Sequence, residues 1–107
     1  MYHGANWDIV VPLSEYDRAP NDHGIYEIGV MLGVEFEPKY IGRAWHTTIR
    51  ERLRSHFLGS HNPEVYRHRH EALCRWLVNS LPRTSEQFAW MITAPEWNRQ
   101  PIWKRGG

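Results

Sequence analysis

Residues 24–57, GIYEIGVMLGVEFEPKYIGRAWHTTIRERLRSHF, constrain the fold more than any other part of the chain. Two tripeptides of matching composition, Gly24-Ile25-Tyr26 and Tyr40-Ile41-Gly42, lie in stretches rich in β-branched and aromatic residues, and an arginine-rich run follows the second. Ile25, Tyr26, Ile28 and Val30 predict a strand over 24–31, and residues 34–44 predict a second, broken by Pro38. Proline lacks the ladder donor, so Pro38 belongs to a loop or to an edge strand. Leu32-Gly33 permits a reversal, giving an antiparallel hairpin with a loose connection.

The arginine-rich run has the marks of a helix. Thr48 and Glu51 form a T-x-x-E capping box, which places the first helical residue at Ile49. Ile49, Leu53 and Phe57 recur every four residues as a core stripe. Arg52 and His56, also four apart, share one flank of it, and Arg50 and Arg54 fall on the other. Gly59 ends the helix.

Asn62 followed by Pro63 and Glu64 predicts a second helix, extended to about residue 80, with Val65, Ala72, Leu73, Trp76 and Leu77 on its buried side. A third strand over 88–93 and a short helical ending over 95–107 complete the order strand, strand, helix, helix, strand, short helix. The expected class is α+β, a small three-stranded antiparallel sheet with flanking helices over residues 24–107. Residues 1–23 form an N-terminal extension whose apolar patch, Trp7, Ile9, Val10, Val11 and Leu13, packs as an added strand or lid.

Charge divides along the chain. Residues 1–37 carry seven acidic side chains against Arg18 alone, a net of −6, whereas residues 38–107 carry twelve basic and five acidic side chains, a net of +7. Eleven of the thirteen basic residues are arginine, whose planar fork suits phosphate, and six tryptophans and five tyrosines offer flat surfaces for stacking. Nucleic acid is the partner this composition favours, against the plain alternative of a self-solvating arginine-rich surface. The single cysteine, Cys74, excludes an intrachain disulfide and a thiolate metal site, and no signal-peptide pattern or membrane-length apolar run is present. A cytoplasmic protein without membrane contact is expected.

Hydrolysis of a phosphodiester needs a cation against the phosphate and a group that activates water. Arg52 offers the first, Tyr26 and Tyr40 the second, and His56 a proton relay. The two tripeptides followed by Arg52-x-x-x-His56 on a helix resemble the GIY-YIG nuclease superfamily. The resemblance implies an endonuclease dependent on Mg²⁺ or Mn²⁺ and acting on DNA, single-stranded or structured substrates included. It assigns Tyr26 as base, Tyr40 as the residue that positions water, Arg52 as the phosphate ligand, His56 as assistant, and a glutamate after the last strand as metal ligand. Glu96 is the only acidic residue there; a helix-start charge is its other reading. Arg43, Arg50, Arg54 and His61 are the expected nucleic-acid contacts, with His61 equally readable as a turn residue. The Arg67-His68-Arg69-His70 run reads as a basic face, because alternate positions on a helix point apart. Specificity would come from an oligomer, a partner protein or substrate shape. The alternative function is a module of the same fold that binds nucleic acid without cutting it.

Overall fold

The computed structural model describes residues 9–59, 62–78, 96 and 97. In chain order they form β1 (Val11–Pro12), a 3-10 segment (Leu13–Arg18), β2 (Gly24–Leu32), β3 (Glu35–Ala44), α1 (Ile49–Leu58), α2 (Pro63–Arg67) and β4 (Leu73–Val78). The architecture is α+β, built on a four-stranded antiparallel sheet in the order β1-β4-β2-β3.

The β2-β3 hairpin follows the expected bounds, but its connection is tight. Leu32 pairs Glu35 across the two residues Gly33-Val34, with Gly33 at φ 64°. Pro38 lies within β3, where it is tolerated because β3 is the outermost strand of the sheet among the described residues and the ladder slips beside it. Ile28 pairs Tyr40 while Gly29 pairs Pro38, leaving Lys39 as the extra residue of a β-bulge.

The N-terminal apolar patch contributes an added strand: Val11 and Pro12 pair with Cys74 and Leu73 of β4. Helix α1 starts and stops as the sequence predicts. The Thr48 hydroxyl accepts the Glu51 amide at 3.2 Å, and Gly59 adopts the left-handed conformation at φ 95°.

Two expectations are corrected. Helix α2 ends at Arg67, and residues 73–78, expected to continue it, form β4. Leu-Cys-Arg-Trp-Leu-Val is short and apolar enough for either state; its pairing with the free edge of β2, which turns Cys74 and Trp76 together into the core, decides for the strand. The sheet accordingly has four strands among the described residues rather than three. The expected strand over 88–93 and His61 lie outside the described residues.

The second correction concerns the buried line of α1, which is Ile49, Leu53 and His56, with Phe57 half-buried beside Tyr16. Positions i, i+4 and i+7 keep closer to one face of a 3.6-residue helix than i, i+4 and i+8.

Central strand β2 presents two faces. Tyr26 and Ile28, with Tyr40, Gly42 and Ala44 of β3 and Cys74 and Trp76 of β4, form the face toward α1 and build the main core with Ile49, Leu53 and Val65. Ile25 and Glu27, both buried, alternate to the opposite face with Ile41 and Arg75.

Candidate functional site

The strand register brings the two tripeptides together. Tyr26 lies opposite Gly42 and Tyr40 opposite Ile28, so both tyrosines project from one face one pairing step apart, their rings 6.2 Å apart and stacked at 27°. Gly42 makes this possible, because a Cβ there would overlap the Cζ and hydroxyl of Tyr26. The glycine that closes the second tripeptide is therefore the floor beneath the tyrosine that closes the first.

Helix α1 sets His56 between the tyrosines. Its ring meets that of Tyr40 edge-on at 4.7 Å and that of Tyr26 at 5.7 Å, and Nε2 lies 3.0 Å from the Tyr26 hydroxyl. All three side chains are fully buried. Arg52, one turn earlier on α1, is half-buried and stands against the same group. Burial works against its charge, yet attraction to Tyr26, a hydrogen bond with Tyr26, and attraction to Tyr40 together hold the guanidinium above the ordinary arginine value. Tyr26, Tyr40, Arg52 and His56 thus form one cluster, of which spacing along the helix predicts only the nearness of Arg52 and His56. It couples a tyrosine hydroxyl to an imidazole and a fixed cation, an arrangement suited to holding a proton and favouring negative charge on oxygen.

The remaining expected residues are placed differently. Arg50 donates Nε to the Ala19 carbonyl at 2.7 Å and its amide to Pro20, fastening the N-terminal extension to α1. The Arg43 guanidinium stacks 4.4 Å from the centre of the Trp45 ring. Arg54 is exposed and 3.9 Å from Glu51. Glu96 accepts from Lys39 Nζ at 2.9 Å, and Lys39 also donates to Glu37 at 2.9 Å. A divalent ion at Glu96 would have to displace that ammonium, and among the described residues no three His, Cys, Asp or Glu side chains gather to hold one. The arrangement around Glu96 fits an ion pair rather than a metal.

Three features escaped the sequence reading. Lys39 gains its role from the bulge, whose only sequence sign is a proline facing a glycine across the hairpin. Asn62, beyond capping α2 through bonds from the Glu64 and Val65 amides, donates Nδ2 to the Trp97 carbonyl at 2.9 Å. Glu27, buried on the face away from the tyrosines, accepts from Arg75 Nε at 2.6 Å. Its place in the alternation of β2 puts it on the face opposite Tyr26, and the partner that allows its burial there comes from the segment read as a helix.

Comparison with protein-family models, curated proteins and solved structures finds no match to this chain. Among the described residues no helix is long and apolar enough to cross a membrane.

Proposed function

We propose that the chain is an endonuclease-like phosphodiester hydrolase acting on nucleic acid, DNA in the first instance, with the tyrosine cluster as its centre. The observation that carries this reading is the 3.0 Å approach of Tyr26 Oη to His56 Nε2, with Arg52 against the same hydroxyl. With Nε2 accepting, the Tyr26 proton is drawn toward the imidazole and the phenolic oxygen gains negative charge that Arg52 balances. Such an oxygen is equipped to take a proton from an attacking water. Tyr40 supports the same water. Arg52, the one member that is only half-buried, is placed to meet a non-bridging phosphate oxygen through its planar fork. The positive balance of residues 38–107 suits a polyanionic substrate.

A second reading, a nucleic-acid-binding module that does not cut, is favoured by the complete burial of Tyr26, Tyr40 and His56 and by the pairing of Glu96 with Lys39. One assay separates the two. The purified chain is incubated with labelled single- and double-stranded DNA, with Mg²⁺, with Mn²⁺ and with EDTA, and compared with Tyr26→Phe and Arg52→Ala. A nuclease centred here loses about 100-fold or more in rate on either substitution. Cleavage that survives both would remove the cluster from consideration. Salt-sensitive binding with intact DNA would establish the second reading.

A further inference from the structure

We propose that Tyr66, with the Arg69 guanidinium laid on its ring, is a stacking platform for an unpaired base of a single nucleic-acid strand whose backbone runs along α1 to Arg52. The proposal rests on reading Arg52 as a phosphate ligand and names the substrate class of that site. Past Arg67 the chain tightens: the Arg69 amide donates to the Tyr66 carbonyl at 3.2 Å, a three-residue turn that sets position 69 over position 66. The Arg69 guanidinium lies 3.8 Å from the centre of the Tyr66 ring, and its Nη1 donates to the Tyr66 carbonyl at 2.8 Å. Gly59 meets the Cδ1–Cε1 edge of the same ring, where a Cβ would come within 2.8 Å of Cε1. The ring is thus held on a face and an edge while 39% of the residue stays exposed. A ring fixed in advance loses little freedom when a base stacks on it.

Helix geometry relates the platform to Arg52. Arg52 and Gly59 are seven residues apart, and the Gly59 amide still donates to the Ser55 carbonyl as in an α-helix. Seven residues are two turns less about 20°, so the two positions share one side of α1, about 10 Å apart along its axis. Tyr66 therefore packs against a residue that lies on the Arg52 side of the helix. A single strand covers such a distance in about three nucleotides. Only an unpaired base can offer its face to the ring, because the bases of a duplex are stacked on one another. Charge favours the same partner. Arg54 and Arg67 stand beside Glu51 and Glu64, whereas among the described residues no carboxylate pairs with Arg69, whose charge is left for a flanking phosphate.

Fluorescence anisotropy of labelled oligothymidylate, oligouridylate and a DNA duplex of equal length, titrated with the full chain in EDTA, tests the platform without cleavage. Tyr66→Leu, which keeps bulk against Gly59 but has no aromatic face, is expected to weaken single-strand binding about tenfold with the salt slope unchanged. Duplex binding should not move. Tyr66→Phe, which keeps the face, is expected to bind as the unaltered protein does. The tighter of the two single strands names the sugar, DNA or RNA. Unchanged single-strand affinity in a folded Tyr66→Leu protein would overturn the platform, as would an equal loss for strand and duplex or no single-strand binding by the unaltered protein. Should Tyr66→Leu fail to fold, nitration of Tyr66 in the unaltered protein decides. A saturating single strand is expected to protect it from tetranitromethane, and an unchanged rate would sink the proposal. Binding is read without cutting, so loss of the platform leaves the hydrolase reading standing. Cleavage that survives Arg52→Ala would instead remove Arg52 while leaving the Tyr66 result intact.

Discussion

Tyr26 Oη and His56 Nε2 lie 3.0 Å apart across 30 residues of chain, and neither side chain has exposed surface. The contact joins the central strand to α1 and lets a hydroxyl and an imidazole sit inside an apolar core, because each gives the other a hydrogen-bond partner. His56→Phe, which keeps a ring but removes the nitrogens, is expected to lower stability by about 1–3 kcal/mol in urea unfolding, and Tyr26→Phe by about 1 kcal/mol. The double variant should lose less than the sum of the two. Strict additivity would mean that the bond carries no energy of its own.

Gly42 is the floor under the Tyr26 ring. Gly42→Ala is expected to cost about 1–3 kcal/mol, because the new methyl group overlaps the ring and hydroxyl of Tyr26 and the core must shift. Replacing Tyr26 by Leu in the same chain shortens the side chain and should remove most of that penalty. The check is a comparison of thermal midpoints for the alanine variant in the two backgrounds. An equal loss in both would place the clash elsewhere.

Stability should fall as pH rises from about 5 to 8, through Glu27. Burial pushes its carboxyl up from 4.5 to about 7, outweighing attraction and hydrogen bonding from Arg75. The folded protein therefore holds a proton that the unfolded chain releases above 4.5. The stabilisation this gives is complete below 4.5 and is lost as pH climbs to about 7, on the order of 3 kcal/mol in all. Other groups titrate in the same range, so the measurement is the difference between the unaltered protein and Glu27→Gln at pH 5 and pH 8. A difference that does not change with pH would show that Arg75 keeps Glu27 ionised throughout.

Cys74 should be inert while the chain is folded. Burial first, and the negative charge of Glu15 second, push its thiol up to about 12, leaving almost no thiolate at neutral pH. Ellman's reagent at pH 8 should report no fast-reacting thiol in the native protein and one equivalent in denaturant, matching the single cysteine of the sequence. A fast native reaction would mean that β4 opens readily from β2, since Cys74 sits in that ladder opposite Ile28.

The parts of the fold that were legible in the sequence are those governed by neighbours along the chain. The Thr48 cap, the Gly59 stop, the Asn62 cap and the hairpin strands are local, and each lies where residue chemistry puts it. Residues 73–78 were misread because their apolar run satisfies a helical stripe and a strand equally; the choice depends on β2 having a second edge to fill. The approach of Arg52 and His56 was legible from their spacing on α1. The full burial of His56 was not, because it depends on a tyrosine hydroxyl 30 residues away to satisfy its nitrogen. The ion pair at Glu96 was likewise invisible, since its lysine is set by a bulge in the ladder.

By itself the sequence determined the two tyrosines, the glycine that admits one of them, the helix that carries an arginine and a histidine on one face, and the segregation of charge. All of these follow from residue type and short-range periodicity. The tertiary structure decided that the tyrosines and histidine form one buried cluster with a hydrogen bond between Tyr26 and His56, that β4 joins the sheet beside β2, that Glu27 pairs with Arg75 behind it, and that Glu96 answers to Lys39. Each of those outcomes is a contact between segments distant in sequence, settled by strand register and by the pairing of the polar groups that the register brings together.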